Sequence, residues 1–254
     1  MKNTKILIIG DSWGMGAWST EQGLTQTLGD DYLSRIFLKN RVMVDNSSLT
    51  SASLTGIQEI LANKLKNERF DRCYILLIQT DPIRSFIDTR FDYRLFDKNI
   101  TEAEKKQKLE KIRSFWTRNS IATTLRTEVD RWYWFVDSVA SVFDVKINLV
   151  GGFSDVDLNL VKNYPNINVV CESWTRLIAP GHVPSIFANS YGADFLDSSD
   201  DHYEIVDAML KRQQVMEKYS GNTFGWCNDP HPNRLGIEIM VQHIKKYLVL
   251  AKKE

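Results

Sequence analysis

Five short apolar runs constrain the fold more than any other feature of this chain. They are Lys5 to Ile9, Val42 to Val44, Cys73 to Ile78, Ile147 to Val150 and Ile167 to Cys171, rich in Ile, Val and Leu and bounded by Gly, Asp, Asn or Ser. A strand with one wet face alternates apolar and polar residues. A run without alternation is covered on both faces, as in a parallel sheet held between helix layers. Between the second and third runs, Ile57, Ile60, Leu61 and Leu65 recur at helical spacing and complete a βαβ unit. The last segment repeats the signal, with Asn233 as N-cap and Leu235, Ile239, Met240, Ile244 and Leu248 as one apolar stripe. The expected fold is therefore α/β, a three-layer α/β/α sandwich around a mostly parallel central sheet.

Two stretches break the alternation. Residues 85–144 carry the charged run EAEKKQKLEK and the aromatic cluster Trp132, Tyr133, Trp134 and Phe135. That length exceeds one crossover, and helices covering the sheet edge or its mouth are expected there. Acidic residues interleave the lysines, so the charged run reads as a solvated helix face. Residues 174–201, with Pro180, Gly181, Pro184 and Gly192, read as irregular loop. No linker divides the chain, so one domain over 1–254 with a helical insertion at about 85–144 is expected.

Thirty-two basic residues balance thirty-two acidic ones, so no global field draws the chain to nucleic acid or an anionic membrane. A small-molecule partner is expected. The first apolar stretch, Ile6 to Ile9, is too short for a signal-peptide core or a membrane span. Cys73, Cys171 and Cys227 are odd in number and form no CxxC pair, and the first two lie in apolar runs as buried thiols. A reducing, cytoplasmic setting follows as an expectation. His182 and His202 stand near Asp194, Asp197, Asp200 and Asp201 without metal-ligand spacing, so no metal is expected; His243 reads as a surface or packing residue of the last helix.

The first run ends in ILIIGDSWGMG, a serine on a glycine-rich bend. Gly10, Gly14 and Gly16 do not match the dinucleotide turn GxGxxG, and no lysine follows to make a phosphate loop. Gly10 to Gly14 does spell GxSxG. The α/β-hydrolase elbow, however, follows a central strand and takes an oxyanion donor from an earlier one, whereas only eleven residues precede Ser12. A serine hydroxyl needs an imidazole as general base, itself oriented by an acid. Near the other end, WCNDPHPNRLG places Asp229 and His231 in one loop before the last helix, stiffened by Pro230 and Pro232.

GDSWG near the start together with DPHPN near the end resembles the SGNH/GDSL hydrolase family, esterases and acylhydrolases on a flavodoxin-like three-layer fold. The resemblance implies Ser12 as nucleophile, His231 as general base and Asp229 as the residue that orients it; many members carry the acid three positions before the histidine, where Asn228 stands here. It implies oxyanion donors after the second and third strands. Asn46-Ser47-Ser48-Leu49-Thr50-Ser51 aligns Ser51, or by a slip Ser48, with the family's glycine, whose backbone N–H serves. Where the family shows G-x-N-D, this chain has Gln79-Thr80-Asp81: Gln79 offers an amide, Thr80 a hydroxyl, and ionised Asp81 only accepts. No cofactor is implied. The expected reaction is ester hydrolysis through an acyl-enzyme on Ser12, with a small-molecule or carbohydrate ester, such as an O-acetylated sugar, as substrate. A catalytically silent domain binding a glycan or a protein, and an acyltransferase, are the alternatives. Trp13, Trp18 and Trp226 lie near the two motifs and read as packing in preference to a sugar platform; Trp132 and Trp134 read as core.

Overall fold

The computed structural model describes residues 4–19, 25–27, 42–49, 52–68, 73–80, 101–104, 106–107, 121–152, 154–178, 232 and 234–251. Five strands form one parallel sheet: β1 (Thr4–Ile9), β4 (Val42–Asn46), β5 (Cys73–Gln79), β6 (Ile147–Gly151) and β7 (Ile167–Cys171). Their spatial order is β4-β1-β5-β6-β7. Numbered within the sheet this is 2-1-3-4-5, the doubly wound order, and its direction of winding reverses between β1 and β5. Two three-residue strands, β2 (Ala17–Ser19) and β3 (Thr25–Thr27), pair antiparallel in a separate hairpin.

The expected strands are all present; the central β1, β5 and β6 are covered on both faces, whereas Met43 on the edge strand β4 is 56% exposed. Leu7, Ile9, Cys73, Ile75, Leu77, Ile147 and Leu149 point to one side. There they pack on α1 (Leu54–Asn67) through Leu54, Ile57, Leu61 and Leu65, and on α2 (Ile121–Val142) through Val129, Trp132, Tyr133, Val136 and Ala140. Ile6, Ile8, Leu76, Ile78 and Val150 point to the other side, onto α4 (Trp174–Ile178) and α5 (Arg234–Tyr247). Each such apolar side chain, fully removed from water, contributes about 1.5–3 kcal/mol. A short helix, α3 (Leu158–Val161), follows β6 and is capped by Asp157 Oδ1, which accepts the N–H groups of Asn159 and Leu160.

Three expectations are corrected. The end of the 85–144 stretch is α2, a crossover helix on the sheet's face, because its Val129, Trp132, Tyr133 and Val136 fall on one side of the helix and fill the core. Trp134 is 62% exposed, since the four consecutive aromatics Trp132 to Phe135 turn about 100° apiece and cannot all share that side. On α5 the inward stripe is Ile237, Met240, Val241 and Ile244, while Leu235 is exposed. Asn233 lies outside the described residues. No described helix is long and apolar enough to cross a membrane.

Beside β1, Lys5, Asp45, Lys64 and Glu68 form a cluster of ion pairs, with Asp45 Oδ2 at 2.9 Å from Lys5 Nζ and 2.8 Å from Lys64 Nζ. Partial burial pushes the Asp45 carboxyl up, but hydrogen bonds from Lys64, Lys5 and Ser47 overcome it and hold the group down at about 2.

Candidate active site

β1 ends at Ile9, and the chain turns at once. The Met15 N–H donates to the Asp11 carbonyl at 3.0 Å and the Gly16 N–H to the Trp13 carbonyl at 3.0 Å, so residues 11–16 make one helical turn. Asp11 caps it: its Oδ1 accepts the Trp13 N–H at 2.9 Å. Ser12, 8% exposed, is the first residue after that cap, directly above the carboxyl end of β1. Gly16, at φ 72°, then takes the chain out of the turn and into β2, a left-handed conformation that suits glycine.

The loop after β4 is tied to this turn. The Ser47 N–H donates to the Ile8 carbonyl at 2.8 Å and the Leu49 N–H to the Gly10 carbonyl at 3.0 Å, which prolongs the parallel pairing past the strand. Asn46 Nδ2 donates to the Gly14 carbonyl at 3.0 Å, while its Oδ1 accepts the Ser48 N–H at 3.1 Å. The approach is close enough that a Cβ on Gly14 would lie 2.5 Å from Ser48 Oγ, which explains the last glycine of GxSxG by contact. Under the turn Trp13 is buried against Trp174, with ring centroids 5.9 Å apart and planes at 40°. Packing, not a sugar platform, is its role.

At the end of β5 the structure corrects the assignment of Gln79. This residue is fully buried on the α2 side of the sheet. Its Nε2 donates to the Asp155 carbonyl at 2.7 Å and to Ser154 Oγ at 3.3 Å, and its Oε1 accepts from the Tyr133 hydroxyl at 2.8 Å. With both N–H bonds and the acceptor engaged inside the core, the amide is not offered to a substrate. Burial keeps the Tyr133 phenol protonated far above its ordinary range, and its oxygen also accepts the Asp157 N–H at 3.1 Å.

Thr80 is likewise fully buried. Its hydroxyl donates to Asp11 Oδ2 at 2.9 Å, and its carbonyl accepts from Ser154 Oγ at 3.1 Å. A hydroxyl carries one hydrogen, so Thr80 supports Asp11 and does not donate to an oxyanion in this arrangement. The structure thus brings Ser12 and Thr80 to neighbouring strand ends through Asp11. Ser51, Asp81, Asn228, Asp229 and His231 lie outside the described residues, as do Trp226, His182, His202 and Cys227 and the Trp18 side chain; Pro232, next to His231, is buried. His243 is a packing residue, its Nε2 2.9 Å from the Val170 carbonyl and its ring against Tyr247. Among the described residues no three His, Cys, Asp or Glu side chains converge as a metal would require.

Asp11, Ser154, Asp155 and Tyr133 were not singled out from sequence. Asp11 had a local signal, a capping residue beside the serine. Tyr133 stood only as one of four aromatics in a row, and Ser154 and Asp155 had only the loop signal GGFSD after β6, which names no partner.

No family model matches the chain, and comparison with curated protein sequences also gives no match. Among solved structures the chain is similar to a lipase/acylhydrolase from Enterococcus faecalis, at 13% identity over 99% of each chain with a TM-score of 0.36. It is also similar to LAE5, an alpha/beta hydrolase enzyme from the metagenome of Lake Arreo, Spain, at 12% identity, covering 97% of this chain and 96% of that one, with a TM-score of 0.37.

Proposed function

We propose that the chain is a serine-dependent ester hydrolase of the SGNH/GDSL type with Ser12 as nucleophile. One observation carries this reading: Ser12 stands on an Asp11-capped turn at the carboxyl end of β1, beside the point where the winding of the sheet reverses. Open α/β sheets bind their ligands in the crevice at that point. In the proposed reaction Ser12 Oγ attacks the ester carbonyl carbon while His231 takes its proton, with Asp229, or Asn228, orienting the imidazole. Collapse of the tetrahedral species breaks the ester C–O bond, and the departing alcohol receives the proton from His231. Water then attacks the acyl-enzyme by the same route, releasing the acid and restoring Ser12.

The oxyanion falls to the N–H groups of Ser12 and Ser51 in this reading, since Gln79 and Thr80 are engaged elsewhere. An O-acetylated carbohydrate is the finer proposal for substrate. The inward commitment of Gln79 and Thr80 favours one second reading, a catalytically silent domain that binds a glycan or a protein. A short-chain p-nitrophenyl ester assay on the wild type and Ser12→Ala decides between them. Hydrolysis by the wild type, lost by at least ~10³-fold in Ser12→Ala, is the expected result. Equal rates, or none from either together with no labelling by a fluorophosphonate, would refute the hydrolase reading. Ester formation with an added alcohol in place of hydrolysis would mark an acyltransferase.

A further inference from the structure

The geometry points to Thr80 as a positioning residue that acts on Ser12 through Asp11. This deepens the reading of Ser12 as a nucleophile and rests on it. Asp11 has two carboxyl oxygens with two tasks: Oδ1 caps the turn that carries Ser12, and Oδ2 receives the Thr80 hydroxyl from the next strand. The bond between them bridges the ends of β1 and β5, where the crevice of the doubly wound sheet opens. A bond at each oxygen restricts the carboxylate's rotation about χ2 more than a bond at one. Thr80 is itself fixed, by burial, by a β-branched side chain with few rotamers, and by Ser154 Oγ donating to its carbonyl. Ser154 in turn takes an N–H from Gln79. A line of hydrogen bonds therefore runs from Ser154 through Thr80 and Asp11 to the Trp13 N–H, one residue beyond the nucleophile.

The test uses Thr80→Val, which keeps the shape and removes the hydroxyl, Thr80→Ser, which restores the hydroxyl, Asp11→Ala, and the double variant Asp11→Ala/Thr80→Val. A misplacement on the order of 1 Å lowers rates by up to ~10²-fold. Thr80→Val is expected to lose about 10- to 100-fold in kcat with KM within about threefold, and Thr80→Ser to recover to within about threefold of wild type. The double variant should be no slower than Asp11→Ala alone, because the two groups act as one unit. If the two losses multiply instead, Thr80 touches the reacting atoms directly and the positioning role is overturned. Amide hydrogen exchange of residues 10–16 supplies a readout that needs no activity: exchange is expected to be faster in Thr80→Val and normal in Thr80→Ser. Wild-type exchange and wild-type kcat in Thr80→Val would also overturn the inference. Should Ser12→Ala prove as active as wild type, the hydrolase reading fails by itself, and the exchange data alone decide whether Thr80 holds the turn.

Discussion

Tyr133→Phe isolates the buried polar network beneath the site. The ring stays, so packing on the core is kept, and only the hydroxyl is lost. That hydroxyl donates to Gln79 Oε1 at 2.8 Å and accepts the Asp157 N–H at 3.1 Å. Its removal leaves one acceptor and one donor without these partners in the interior, each costing about 1–3 kcal/mol. Allowing for some relaxation, the expected loss is about 3 kcal/mol. At roughly 2–4 °C per kcal/mol for a chain of this size, Tm should fall by about 6–12 °C. Urea titration measures it as a lower midpoint with unchanged m. Tyr164→Phe is the control: that hydroxyl donates to Asp130 Oδ1 at 2.6 Å from a half-buried position, where water can replace it, so a loss below about 1 kcal/mol is expected. Gln79→Met should destabilise the chain, and combined with Tyr133→Phe it should cost at least about 1 kcal/mol less than the sum of the two, because each removes the other's partner. Gln79→Met should also leave the esterase rate within about threefold, whereas loss of an oxyanion donor would cost about 10²- to 10³-fold. A loss under about 1 kcal/mol in Tyr133→Phe, or additivity within about 0.5 kcal/mol, would refute the reasoning.

Two further predictions concern titration. Burial pushes the thiols of Cys73 and Cys171 up to about 12, so in a Cys227→Ser background the native chain should release no chromophore from a disulfide reagent at mildly alkaline pH, and two equivalents once denatured; one rapid equivalent from the native chain would contradict this. Asp45 is held at about 2 against an ordinary 3.8, so its ion pairs contribute stability that is fully present above pH 3.8 and is lost as pH falls through 2. Partial exposure screens the effect to about 1 kcal/mol. The urea midpoint of wild type should exceed that of Asp45→Asn at neutral pH and approach it near pH 2; a constant gap would refute the assignment.

The strands were legible because a run such as Ile6 to Ile9 has no polar residue to place in water, and α1 because Ile57, Leu61 and Leu65 repeat at one helical period. Along α5 and the residue after it, the expected stripe holds at Met240, Ile244 and Leu248 and fails at Leu235. The helix's apolar residues spread around more than one face, and only packing against Val170 and Trp174 selects Ile237 and Val241 over Leu235. The hairpin escaped notice because AWS and TQT are too short to show alternation. The placement of Ser12 on a tight turn directly after β1 was legible from GxSxG following an apolar run. The roles of Gln79 and Thr80 were not, because a side chain's partner is decided by residues such as Ser154, 74 or 75 positions away, which leave no periodic trace in the local sequence.

The ties that hold the Ser12 turn reach far along the chain: 32 residues from Gly14 to Asn46, and 69 from Asp11 to Thr80. On a ribosome, which releases the chain from its N-terminus, β1 and its serine emerge before both neighbouring strands and meet neither until β4 and then β5 have followed. The Gln79 amide is satisfied later still, once Ser154 and Asp155 are out. The Ser12 turn is thus synthesised before the residues that fix it, and a nascent fragment ending before β5 carries the GDSWG motif without the Thr80 tie that holds it.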